Sequence, residues 1–137
     1  MTLITTATGR ADDPSIGAGR TVYRQYCASC HGENAEGAPD WKRPDENGEL
    51  PPPPHDATGH TWRHSDGDLF EMIAKGWHDP FNKTDRLTMP PFEEQLSAKQ
   101  IEDVIAYLKT LWTDEQRQFQ AEESRGQPLA GQEESLQ

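Results

Sequence analysis

Both cysteines of this 137-residue chain lie in one pentapeptide, Cys27-Ala28-Ser29-Cys30-His31. Two thiols three positions apart, followed at once by an imidazole, form the attachment signature of c-type haem. On a helical turn Cys27 and Cys30 can each reach one vinyl group of the porphyrin and close a thioether. His31 then projects its ring to the iron from one side. Rival chemistries use similar residues. A two-cysteine redox site is expected after a strand in a βαβ setting, and none precedes Cys27. A zinc site would pair Cys27 and Cys30 with His60 and His64, but 29 residues separate Cys30 from His60, against a usual finger spacing of about 12–15. A disulfide across two intervening residues closes a loop too short to stabilise much. The haem reading leads, with zinc and redox chemistry as the lesser alternatives.

An iron held by His31 takes Met, His or nothing on its other axial side. Met89 sits in the loop Thr88-Met89-Pro90-Pro91-Phe92, which can fold over a haem face, and the two prolines stiffen it. Met72 falls on a helical apolar stripe and reads as core filler. A second cluster, His55, His60 and His64 with Asp56, occupies ten residues. Its plainer reading is that these side chains hydrogen-bond their own loop or hold it against the haem edge. The alternatives are a divalent copper or zinc site, or a histidine replacing Met89 on the iron. His78 reads as a turn residue. Trp41, Trp62 and Trp77 are expected to wall the haem pocket, with exposure of one at a docking patch as the alternative.

These groups need elements to hold them. Ser15 reads as a helix cap, and Ile16, Gly19, Val22, Tyr23 and Tyr26 share one helical stripe that runs into Cys27. Residues 32–64 lose all periodicity, an unusual length inside a compact domain unless the stretch wraps a large ligand. Ser65 and Asp68 signal a second helix carrying Leu69, Met72 and Ile73 and ending near Gly76. Ser97 and Gln100 form a capping box before Ile101, Val104, Ile105, Leu108, Leu111 and Trp112, the clearest helical face in the chain. No segment of any length has strand period, so the expected fold is all-α. Residues 1–14 read as a flexible arm without the apolar core of a secretory signal. Residues 113–137 carry six acidic and two basic side chains, and read as a short helix continuation followed by a disordered tail.

The composition makes a bulky apolar cofactor useful. Only 32% of residues are hydrophobic and 27% are charged, with a mean hydropathy of -0.96. Such a chain is poorly supplied for a core of its own. A net charge of -11 repels nucleic-acid backbones and anionic membrane surfaces. No stretch approaches the ~20 apolar residues of a membrane-spanning helix.

Across residues 15–112 the chain resembles the class I, monohaem c-type cytochromes of the bacterial periplasm. Gly19, Tyr23 and Cys27 reproduce the family's spacing of glycine and aromatic ahead of the first cysteine. Ile105-Ala106-Tyr107-Leu108-Lys109 looks like its C-terminal helix, whose aromatic packs against the N-terminal helix at the glycine. Met89-Pro90-Pro91-Phe92 sits where its Met-Pro loop precedes that helix, and Gly37-Ala38-Pro39 resembles the turn whose proline carbonyl accepts a hydrogen bond from the proximal histidine. The resemblance implies the cytochrome c fold, three main helices around one covalently bound haem c with long irregular loops. Cys27 and Cys30 would attach it, Pro39 would orient His31, and His31 with Met89 would ligate the iron. It further implies an electron carrier rather than an enzyme, outside the cytoplasm, serving redox proteins with basic or neutral docking surfaces. A haem subunit docked on a larger dehydrogenase or oxidase is the alternative, and a haem sensor with a labile sixth ligand is a third.

Overall fold

A computed structural model describes residues 13–126. The parts of the arm and the tail that fall in residues 1–12 and 127–137 lie outside the described residues. Among the described residues five α-helices follow one another: α1 (Pro14–Tyr26), α2 (Ala28–His31), α3 (Asp66–Lys75), α4 (Ala98–Lys109) and α5 (Asp114–Gly126). Among the described residues there is no strand beyond one isolated bridge, so the all-α expectation holds.

Local chemistry sets the helix ends. Asp13, not Ser15, caps α1: its carboxylate accepts from the Ser15 N–H at 2.9 Å and from the Ser15 hydroxyl. Pro14 occupies the first helical position, where a missing N–H costs nothing. The anionic cap competes better than a hydroxyl for the helix N-terminus. Ser65 caps α3, and Ser97 with Gln100 forms the reciprocal box that opens α4.

The core forms where α1 crosses α4. Val22 and Tyr23 of α1 meet Ile101, Val104, Ile105 and Leu108 of α4, and Leu69, Ile73 and Ala74 of α3 close the same cluster. Contact is closest at Gly19, where a β-carbon would stand 1.9 Å from the Asp103 carbonyl oxygen and 3.0 Å from the Tyr107 β-carbon. Only glycine lets the two backbones approach so closely. The Tyr23 and Tyr107 rings pack beside it with centroids 5.5 Å apart.

The segment past Trp112 departs from the expected short continuation. α4 stops at Lys109, and a separate α5 starts behind a second reciprocal cap, in which Thr113 and Gln116 exchange backbone N–H donors for side-chain acceptors. α5 is nearly all polar, yet its Gln120 is 1% exposed. The Gln120 amide donates to the His64 carbonyl at 3.1 Å and to the Asp66 carboxylate at 2.8 Å. The Asp66 N–H donates to the Ser124 hydroxyl, and Lys109 pairs with the Asp66 carboxylate at 2.9 Å. This polar clamp is fully satisfied, which is the condition for burying it without loss.

Gly19→Ala forces α1 off α4 and is expected to destabilise the holoprotein by roughly 1–3 kcal/mol. Guanidinium unfolding followed by far-UV circular dichroism measures it, and an unchanged midpoint would contradict the close crossing.

Candidate functional site

The Cys27–His31 segment is held from three directions. α1 delivers it, with the Cys27 N–H donating to the Tyr23 carbonyl at 2.8 Å. The Tyr23 hydroxyl reaches past the motif and donates to the Gly32 carbonyl at 2.6 Å, pinning the far end of α2. Gly32 then leaves α2 at φ +91°, and the chain turns back so that the Gly37 N–H donates to the His31 carbonyl at 2.7 Å.

The third support comes from the proline run. The His31 Nδ1–H donates to the Pro53 carbonyl at 2.8 Å. A carbonyl can only accept, so Nδ1 carries the proton and Nε2 keeps its lone pair for a metal. Burial holds His31 below the ordinary imidazole value, and the bond to Pro53 offsets part of that shift. The ring is therefore neutral at neutral pH. This corrects the expectation for Pro39, whose carbonyl is not the acceptor. The Ala38 N–H is engaged by the Pro52 carbonyl and the His55 N–H by the Ala35 carbonyl, which lays residues 52–55 alongside 35–38. Gly37, at φ +75°, lets this happen, since a β-carbon there would stand 2.5 Å from the Pro54 nitrogen. Proline residues have no N–H to spend on a ladder, so their carbonyls remain available to donors.

A cavity of about 560 Å³ opens beside the motif. Tyr26, Cys27, Cys30 and His31 form one wall, and residues 50–53 another. His55, His60, Thr61 and His64 supply a third, Leu69 and Met72 a fourth, and Trp77, Met89, Pro90 and Phe92 the loop side. Most of the lining is apolar, as a porphyrin requires, and the volume falls in the range of cofactor pockets. Both sulfurs, a neutral imidazole with its outer nitrogen free and a thioether converge on this one space. The residues present thus fit a covalently attached haem, with Cys27 and Cys30 as attachment points and His31 on the iron.

The rival chemistries fare worse. Burial, with the Cys30 thiol adding to it, pushes the Cys27 thiol up to about 11. A thiol that stays protonated at neutral pH is a poor redox nucleophile. Among the described residues no group of three or more His, Cys, Asp or Glu is arranged to hold a metal ion. That overturns the metal reading of His55, His60 and His64. The His55 Nδ1 is 2.7 Å from the Thr61 hydroxyl, and its ring lies 4.0 Å from the His31 ring, while the His60 and His64 rings stand 5.8 Å apart. His55 is thus a neighbour of His31 and not a ligand facing it, because rings that close leave no room for an iron between them. Burial first, then His31, His60 and His64, hold His55 well below the ordinary imidazole value.

Met89 is positioned by backbone. Its N–H and carbonyl exchange bonds with Trp77, each 3.0 Å, in an isolated antiparallel bridge. Gly76, at φ +82°, turns beneath it, where a β-carbon would meet the Met89 carbonyl oxygen at 2.6 Å. The Phe92 ring stands edge-on to Tyr26 at 6.3 Å, joining the methionine loop to the end of α1. Met72 also lines the cavity, so it is a wall residue and not core filler. Of the three tryptophans expected there, only Trp77 lines it. Trp41 packs on His60, and Trp62 packs edge-on against Phe119 of α5. His78 bonds the Thr84 carbonyl across its turn, as read from the sequence.

Sequence reasoning missed two supports of the histidine wall. The indole N–H of Trp112, 4% exposed, donates to the His55 carbonyl at 2.9 Å. Gln116 and Gln120 of α5 bind the carbonyls of Ala57 and His64. The Thr113-x-x-Gln116 cap was a legible signal for α5. Nothing in the sequence marked the partners.

The cytochrome c family model matches residues 16–112. The chain belongs to the cytochrome c family. Two curated cytochrome relatives are each 26% identical over 98 residues: the cbb3-type cytochrome c oxidase subunits FixP of Sinorhizobium medicae (strain WSM419) and of Rhizobium meliloti (strain 1021). The match covers 71% of this chain but 30% of each relative, so the chain spans under a third of their length. The crystal structure of cytochrome cL from Methylophaga aminisulfidivorans MPT shares the fold, with a TM-score of 0.57 and 22% identity over 87% of this chain and 69% of that one. As a cytochrome c the chain carries one covalently attached haem c, and its chemistry is haem-based electron transfer. α5 lies past the family match.

Gln120→Ala strips buried donors from His64 and Asp66 and is expected to cost roughly 1–3 kcal/mol. Equilibrium unfolding of the holoprotein checks this, and a loss under ~0.5 kcal/mol would mean that α5 does not brace the histidine wall.

Proposed function

We propose that this cytochrome is an electron carrier with His31 and Met89 as the two axial ligands of its iron. The observation that supports this most directly is the shared cavity, in which the outer nitrogen of His31 and the bridge-anchored Met89 face one space. Haem c, when bound, supplies reversible one-electron exchange at its iron. The chain's own contribution is to hold ligands and exclude water. The Pro53 carbonyl fixes the tautomer of His31 and raises its basicity. The Trp77 bridge holds the Met89 backbone, and ligation by methionine favours a higher potential than ligation by two histidines. The family match and the oxidase-subunit relatives support a carrier role or a place as the haem-bearing part of a redox complex.

The second reading, a haem unit docked on a terminal oxidase, rests on the FixP relatives, whose names make them oxidase subunits. Among the described residues no helix is long and apolar enough to cross a membrane. The family's haem attachment takes place outside the cytoplasm, which supports a periplasmic location. The net charge of -11 favours partners with basic or neutral docking surfaces.

The visible spectrum of the reduced holoprotein with and without carbon monoxide tests the ligation. The wild type and Met72→Ala are expected to ignore the gas, while Met89→Ala converts fully to the carbonyl form. A wild-type shift would instead favour a sensor with a labile sixth position. Gel filtration of native extract separates the two carrier readings: a free monomer supports the shuttle, and co-elution with an oxidase supports the subunit.

A further inference from the structure

A second cavity, of about 380 Å³, shares no lining residue with the first and is lined by Arg20 and Arg24 of α1, Ala28 of α2, Glu33, Asn34 and Tyr107 of α4. Its lining is rich in donors. Arg20 and Arg24 are four residues apart, hence neighbours on one helix face. Tyr107 adds a phenolic hydroxyl and Asn34 a side-chain amide. Among the described residues none of these four makes a side-chain hydrogen bond or an ion pair. Most described cations are engaged: Lys75, Arg86, Lys99, Lys109, Arg117 and Arg125 are ion-paired, and Lys42 and Arg63 lie over indole rings, while Arg43 and Lys83 line neither cavity. Two adjacent guanidiniums are left unneutralised on a protein of net charge -11, and they share one concavity. The preference of Arg24 for the last turn of α1 follows from the helix dipole, but Arg20 sits a turn earlier, where that term has faded.

We propose that this cavity binds a protonated oxyanion of the phosphate class, either inorganic phosphate or a small phosphate monoester. Guanidinium forks match two oxygens of a tetrahedral anion, and Tyr107 and Asn34 supply further neutral donors. Glu33 sets the selectivity. A carboxylate in the lining repels an anion that can only accept, but it accepts a hydrogen bond from the P–OH of hydrogen phosphate. Sulfate has no proton to offer at neutral pH. The volume exceeds what one phosphate fills, which leaves space for the organic part of a monoester.

Titration of the reduced, 15N-labelled holoprotein with sodium phosphate at constant ionic strength tests the site by NMR. Saturable shifts are expected at the amides of Ala28, Asn34 and Tyr107 with a millimolar Kd, and sulfate should bind at least ~5-fold more weakly. Arg20→Gln and Arg24→Gln, both at exposed positions, are each expected to weaken phosphate about 10-fold. Glu33→Gln should erase the preference over sulfate. Methyl phosphate distinguishes the sources: tighter binding than phosphate assigns a monoester, weaker binding the free ion. Shifts that stay linear, or that appear equally at Arg43 and Lys83, would overturn the proposal as general ion screening. Unaltered affinity in both arginine variants would overturn it as well.

Discussion

The hydrogen bond from the His31 ring to the Pro53 carbonyl ties together parts of the chain that sequence keeps apart. It needs the CxxCH turn to be fixed in place, which Tyr23 and Gly32 do, and it needs a backbone carbonyl aimed at one ring nitrogen, which the proline run does. The run in turn leans on Gly37 and Ala35, so the long irregular segment from 32 to 64 is organised around backing one imidazole. A loop of this length would be an entropic burden as a mere connection. Here it provides the outer hydrogen-bond partner of the His31 ring and a wall of the cavity.

Polar and apolar contacts divide the remaining work. The apolar cluster is concentrated where α1, α3 and α4 meet, and it supplies little of the cavity's histidine side. That side is held by amides and carboxylates: Trp112 to His55, Gln116 to Ala57, and Gln120 to His64 and Asp66. A chain with a mean hydropathy of -0.96 has few aliphatic side chains to spare. It substitutes directed hydrogen bonds, whose value depends on every member being satisfied.

Much of this was legible in the sequence. The CxxCH turn, the helix starts at Ser65 and Ser97 and the glycine–aromatic match between α1 and α4 all rest on side-chain identity and spacing, and the structure places them as read. What stayed hidden involves groups without a side-chain signature. A backbone carbonyl looks the same at Pro39 and Pro53, so which one faces His31 depends on how a loop folds. α5 shows no apolar stripe, and a lone buried amide such as Gln120 is indistinguishable from its solvated neighbours until its partners are known. The three histidines failed as a cluster for a related reason, because proximity along the chain does not make ring nitrogens converge.

The crossing at Gly19 ties the attachment turn to the far end of the domain. The helix that carries the turn finds its main packing partner almost at the other end of the family match, so the contact joins segments that are distant in sequence. A helix of 13 residues is marginal alone in water. The turn that carries Cys27 and Cys30 therefore takes its support from a segment that lies far along the chain. Cys27 is half-buried against the cluster that the two helices form. One close approach between two backbones thereby serves both the core and the place where the cofactor is joined.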